Sequence, residues 1–285
     1  MKKYISAIIL LLAASLVSRA GNIVTDSTRS EILGAQVKFN VYLPSGYDRT
    51  NKLYPVVYLL HGLSDTYEAW DKLGRMQLVA DELIASGEAC EMVIIMPNAG
   101  GRDTHNIHNG YFNVPGWNYE DFFFNEFIPA VEDKYRCVSD KYYRAVMGLS
   151  MGGGGSIVYA QRHPDMFSSC YAMSAWLDET GQVGGKKDMR EDCLYYTCKS
   201  VHEHCAIDFV ENADEATVRE LNTVRWFIDC GDDDFLLDLS VSLHQSMKKK
   251  GINSELRVRN GVHNWEYWHN ALRLSLPFAS RNFHW

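Results

Sequence analysis

Prolines are few, seven in 285 residues, and no Pro- or Ser-rich stretch divides the chain, so nothing marks a linker between separately folded units. Internal repeats are missing as well, which excludes solenoids and propellers. Lys and Arg nowhere gather densely enough to follow a phosphate backbone, and 28 of them face 36 Asp and Glu for a net charge of −8. Nucleic acid is excluded as a partner on that ground. Beyond the first twenty residues no apolar run approaches the ~20 residues of a membrane-spanning helix. Seven cysteines are too few for a small disulfide scaffold, and the odd number leaves at least one thiol unpaired within a monomer.

What is present is a chain 46% hydrophobic and 12% aromatic, enough to bury one large core and too apolar for disorder. Lys2 and Lys3 precede an apolar run from Ile5 to Val17, which closes on Ser18, Arg19 and Ala20. That is the pattern of a secretory signal peptide cleaved after Ala20, and it predicts export to the periplasm or the medium. Removing residues 1–20 leaves 25 basic against 36 acidic residues, a net charge of −11. Residues 21–285 are then expected to form a single catalytic domain.

From Gln36 to Leu43 apolar residues alternate, as in an edge or antiparallel strand with one wet face. Tyr54 to Leu60, Met92 to Met96, Arg144 to Met147, Cys170 to Met173 and Trp226 to Cys230 are instead short, nearly continuous apolar runs. Such runs suit strands of a parallel sheet covered on both faces. Helical patterns lie between or after them at Met76 to Ser86, Tyr119 to Tyr135, Gly152 to His163, Leu237 to Lys250 and Trp265 to Phe278. The alternation predicts an α/β fold with a mostly parallel central sheet flanked by helices. Residues 177–222 break it and read as a lid-like insertion.

Gly148-Leu149-Ser150-Met151-Gly152 falls directly between a predicted strand and a predicted helix. G-x-S-x-G has meaning in that setting, because a serine on a strained turn leaves no room for side chains two residues before and after it. Ser150 would point out of the sheet, with the Met151 amide facing a developing oxyanion. A serine hydroxyl needs a histidine base and a carboxylate to orient it, and in this fold the chain order is Ser, acid, His. The first acid-bearing strand end after Ser150 is Asp229-Cys230-Gly231-Asp232-Asp233-Asp234. Asp234 is the choice there, ahead of Asp233 and then Asp232. Of the later histidines, His244 lies within a helix pattern, His269 follows a helix start and His284 is terminal. His263 sits in a loop after the strand Glu255 to Val258, and is favoured. His61-Gly62-Leu63 ends an early strand, so the Leu63 amide is the expected second oxyanion donor and His61 is expected to order that loop.

With these motifs in order, and with Leu43-Pro44-Ser45-Gly46-Tyr47 and Tyr119-Glu120-Asp121-Phe122 ahead of the elbow, the chain resembles the esterase D and feruloyl esterase family of α/β-hydrolases. The resemblance implies carboxylic ester hydrolysis without metal or organic cofactor, with Ser150, Asp234 and His263 as triad and the Leu63 and Met151 amides as oxyanion hole. Its members include feruloyl and acetylxylan esterases, S-formylglutathione hydrolases and mycolyl transferases. An exported member fits removal of feruloyl or acetyl groups from plant cell-wall polysaccharide, or from a small acyl ester. A general short-chain esterase, an acyltransferase on the same residues, and a catalytically inactive carbohydrate-binding relative are the alternatives. Trp176, Trp117 and Tyr111 lie near expected catalytic-edge loops and are candidates to hold an aromatic acyl group. Cys193, Cys198, His202, His204 and Cys205 match no common zinc spacing, so a disulfide within the insertion is expected there rather than a metal.

Overall fold

The computed structural model describes residues 20–100, 109–178 and 193–284. The predicted signal peptide, apart from Ala20, falls on residues outside that range. Among the described residues ten strands are formed: β1 (Asn22–Ser30), β2 (Ala35–Leu43), β3 (Val56–Leu60), β4 (Val93–Pro97), β5 (Asn113–Val114), β6 (Trp117–Asn118), β7 (Arg144–Leu149), β8 (Ser169–Met173), β9 (Arg225–Gly231) and β10 (Ser254–Arg259). Eight of them make one sheet in the order β1-β2-β4-β3-β7-β8-β9-β10, while β5 and β6 pair separately as a short hairpin. From β4 to β10 every neighbour is parallel; β1 and β2 add an antiparallel edge.

Among the described residues five helices exceed ten residues: α1 (Met76–Ser86), α2 (Met151–Arg162), α3 (Cys193–Glu203), α4 (Leu237–Lys249) and α5 (Trp265–Asn282). β3 is buried throughout, and its alternation divides the core in two. Val56, Tyr58 and Leu60 point to a cluster that includes Ile157 and Tyr159 of α2 and Leu243 and Met247 of α4. Val57 and Leu59 point to the other, with Val79 and Leu83 of α1 and Leu272 and Leu276 of α5. Continuous apolar strands arise because both faces are covered.

Three sequence expectations change. β2 is antiparallel as expected, yet Asn40, Val41 and Tyr42 are all buried, so it has no continuous wet face. The edge is β1, whose Asn-Ile-Val-Thr-Asp-Ser-Thr-Arg-Ser sequence lacks an apolar alternation. The single helix expected from Tyr119 to Tyr135 is three segments, with a wide π turn at Phe123–Phe127 ahead of Pro129. Proline has no N–H to continue an α-helical ladder. The insertion is also not a free lid over residues 193–222: Ala206, Val210 and Leu221 join the main core, and the Gln161 side chain donates to the Ala206 carbonyl at 3.0 Å. Residues 179–192 lie outside the described residues.

Candidate active site

β7 delivers the chain to Ser150 and α2 leaves from Met151. At Ser150 the backbone takes φ 52° and ψ −118°, a strained conformation that costs about 1–3 kcal/mol and persists only where surroundings enforce it. Here the Ser150 N–H donates to the Met173 carbonyl at 2.9 Å, and the Ser150 carbonyl accepts from the amides of Trp176 at 2.9 Å and Gly154 at 3.0 Å. The glycines are needed for space. A methyl on Gly148 would meet the Gly152 carbonyl oxygen at 2.5 Å, and one on Gly152 the Leu60 carbonyl oxygen at 2.5 Å. On Gly154 it would meet the Trp176 carbonyl oxygen at 2.0 Å.

His263 reaches this serine from the loop between β10 and α5. Its Nε2 stands 3.0 Å from Ser150 Oγ, and its Nδ1 stands 3.0 and 2.9 Å from the two carboxylate oxygens of Asp234. A carboxylate only accepts, so Nδ1 carries the proton and Nε2 is left to accept from the serine hydroxyl. Asp234 is nearly inaccessible, at 5% exposure. Burial pushes its carboxyl up, but hydrogen bonds from His263, the Leu236 amide and Ser174 outweigh that and hold it below the ordinary carboxylate value. The two preceding acids do other work: Asp232 Oδ1 accepts from the Gly261 amide at 2.9 Å, and the Asp233 amide donates to the Gly261 carbonyl.

The 61–63 segment lies against the elbow, since a methyl on Gly62 would sit 3.7 Å from Ser150 Cβ. The His61 ring accepts from the Ala99 amide through Nε2 at 3.0 Å, so Nδ1 bears the proton and donates to the Gly62 carbonyl at 2.8 Å. That carbonyl also accepts from the Asp65 amide. A trans peptide sets its N–H opposite its C=O, so pinning the Gly62 oxygen fixes the direction of the Leu63 N–H. The Met151 N–H is one of the first amides of α2, which have no partner within the helix. Burial pushes the Asp65 carboxyl beside this loop up to about 6, against a lowering by the Gly62 amide.

The expected aromatic lining needs correction at two of three positions. Tyr111 is fully buried, with its hydroxyl donating to the His61 carbonyl at 2.9 Å and its carbonyl accepting from the Tyr159 hydroxyl. Trp117 is buried in the core as well. Neither presents a ring face to a ligand, because both join the core cluster that holds Ile157 and Tyr159 of α2. Trp176 remains half-buried beside the elbow. In the insertion Cys205 is a buried thiol outside any disulfide, His202 pairs with Asp178 at 2.9 Å, and His204 stacks on Phe112 at 4.1 Å. Among the described residues no three His, Cys, Asp or Glu gather to hold a metal, and the Cys193 side chain lies outside them.

The residues around Asp234 and His263 carry no signal in the sequence pattern. Ser174, at φ 46°, donates to Asp234 and accepts from Trp268 Nε1 at 3.1 Å. Trp268 also packs edge-on against His263, 4.9 Å between ring centres. Beneath them Asp229, fully buried, accepts from the hydroxyls of Tyr171 and Tyr267 at 2.5 Å each and from Arg259 at 2.9 and 3.2 Å. Arg259 and Tyr267 bracket the loop that carries His263, so this carboxylate ties both ends of it. Acid residues inside strands carry no local signal of such a role.

A mostly parallel sheet with helices on both faces and a serine at its central strand-helix elbow defines an α/β-hydrolase. The Esterase family matches residues 30–279. A solved ferulic acid esterase is 45% identical with a TM-score of 0.88, the match covering 93% of this chain and 99% of that one. An endo-1,4-beta-xylanase/feruloyl esterase of Xylanibacter ruminicola is 34% identical over 151 residues, 52% of this chain. The chain spans only 20% of that relative's own length. The feruloyl esterase module of Clostridium thermocellum, 20% identical with a TM-score of 0.68 over 93% of this chain and 90% of that one, shares the fold. The chain therefore belongs to the Esterase family, among the feruloyl esterase-like carboxylic ester hydrolases.

Proposed function

We propose that the chain hydrolyses carboxylic esters through an acyl-enzyme on Ser150, acting on feruloyl or acetyl groups of plant cell-wall polysaccharide after export by its N-terminal signal. The observation that carries this is the unbroken series Asp234, His263, Ser150 with contacts of 2.9 to 3.0 Å. His263 Nε2 takes the serine proton as Oγ attacks the ester carbonyl. The Leu63 and Met151 amides hold the oxyanion, each donor being worth about 10²–10³ in kcat. The tetrahedral species collapses as His263 passes the proton to the departing alcohol oxygen, leaving an acyl-serine. Water, deprotonated by the same nitrogen, then attacks the acyl carbonyl, and Ser150 regains its proton. Asp234 keeps the histidine in the tautomer that both halves require and balances its positive charge.

The xylanase/feruloyl esterase relative and the ferulic acid esterase neighbour support the aromatic acyl group. Trp176, half-buried and bonded through its backbone amide to the Ser150 carbonyl, is our candidate to contact it. Hydrolysis of methyl ferulate and p-nitrophenyl acetate by wild type and Ser150→Ala tests the reading. The variant is expected to lose at least about 10⁴-fold in kcat, together with labelling by a fluorophosphonate; equal rates for the two proteins overturn it.

A further inference from the structure

His263 hands its proton to the departing alcohol, so that alcohol must lie on the histidine side of Ser150. Two aromatic rings pack on His263. Trp268 is buried and belongs to the scaffold. Phe235 lies with its ring centre 4.5 Å from the imidazole, tilted by 46°, and is 77% exposed. Single exposed apolar side chains are ordinary on protein surfaces, and exposure alone would carry nothing. What separates Phe235 from Leu53 or Leu73, which are also exposed, is its contact with the group that protonates the leaving oxygen.

Its backbone is also held in place. Asp234 Oδ1 accepts from the Leu236 amide at 2.9 Å and the Asp234 carbonyl from the Leu237 amide at 3.0 Å, closing a turn over residue 235. The carboxylate that orients the histidine thus also presents the ring. Val262, immediately before His263 on the loop after β10, is 45% exposed and is a second apolar side chain beside the histidine in the chain. A rigid aromatic face loses little conformational freedom on binding, and the C–H face of a sugar ring is its natural partner.

The geometry points to Phe235 as the platform for the sugar that leaves with the alcohol oxygen, making it a specificity residue for the alcohol rather than the acyl half of the substrate. This rests on the ester-hydrolase reading above and adds the half of the substrate that reading leaves undefined. The test holds the acyl group constant and changes the alcohol, comparing kcat/KM for a feruloylated arabinoxylo-oligosaccharide with that for methyl ferulate. In Phe235→Ala the ratio of the two is expected to fall about tenfold, through KM on the sugar ester, and Phe235→Tyr should restore it. An equal loss on both esters would mean that the ring only packs the histidine, and an unchanged kcat/KM on each of them would mean that no sugar rests there; either overturns the proposal. Wild type inactive on both feruloyl esters would sink the feruloyl reading alone. The same ratio is then read with acetylated xylo-oligosaccharide against ethyl acetate, with the same outcomes deciding. Folding should persist in both variants, because substitutions at so exposed a site change stability little.

Discussion

At the elbow Ser150 is positioned by backbone packed on backbone, whereas His263 is positioned by side chains reaching from four separate elements. Around the serine, the Leu60, His61, Gly152 and Trp176 carbonyls stand within 2.0 to 2.6 Å of where a methyl on Gly148, Gly152 or Gly154 would fall. Around the histidine, Asp229 of β9 gathers Tyr171 of β8, Arg259 of β10 and Tyr267 of α5, while Ser174 and Trp268 steady Asp234. Steric exclusion has no partial state, but a hydrogen-bond network can lose one member and keep the rest. The placement of Ser150 should therefore fail abruptly on substitution and that of His263 by degrees.

Asp229→Ala gives the largest effect and tests whether the network is really one unit. It strands Arg259 and two tyrosine hydroxyls, and a stability loss of about 4 kcal/mol is expected by denaturant titration, with the activity of the folded fraction also reduced. A loss below about 1 kcal/mol would show that the loop holds itself. Gly154→Ala comes next, at about 3 kcal/mol, because the new methyl collides with a carbonyl and not with a flexible side-chain end. Retained activity with unchanged thermal stability would break the steric half of the comparison.

Ser174→Ala removes one donor from Asp234 and one acceptor from Trp268, and is expected to lower kcat about tenfold, or 1.4 kcal/mol, with KM little changed. It should also let the Asp234 carboxyl rise. A carboxyl held low stabilises the fold above its unfolded value and loses that contribution as pH falls, so the variant should gain less stability than wild type between about pH 3 and 5. Identical pH profiles would count against Ser174 as a donor to Asp234.

Asp65→Asn has the smallest effect and the opposite sign. With its carboxyl pushed up to about 6, the folded chain binds more protons than the unfolded one between about pH 4 and 6, so this group erodes stability as pH rises through that window. The variant should be slightly more stable than wild type at pH 7, by less than about 1 kcal/mol after solvent screening, and the gap should close near pH 4. A variant less stable at pH 7 would show that the charge is needed by the loop.

The same contrast explains what could be read in the sequence. The elbow is legible because a steric demand selects a residue identity, glycine at 148 and 152, at fixed spacing. The central strands are legible because burial on both faces leaves runs such as Val56 to Leu60 and Val93 to Met96. β1 is not, because an edge strand has backbone pairing to recommend it and no apolar stripe. Among Asp232, Asp233 and Asp234, the separation depends on how the turn after Gly231 crosses Gly261, a contact between segments thirty residues apart that no local pattern records. Asp229, Ser174 and Trp268 stayed hidden for the same reason, and Tyr111 and Trp117 were misplaced because their loops turn inward.

The glycines of α2 also decide where an enzyme of this build can change. Gly152 faces the Leu60 and His61 carbonyls, Gly153 the Met173 carbonyl and Gly154 that of Trp176, with Gly155 against the Tyr111 ring, so the start of the helix is locked to the tips of two strands with no side chain between them to trim or enlarge. Ser150 therefore has no room to move. Room for change lies instead in side chains that face solvent on the neighbouring loops, such as Phe235 and Val262, 77% and 45% exposed.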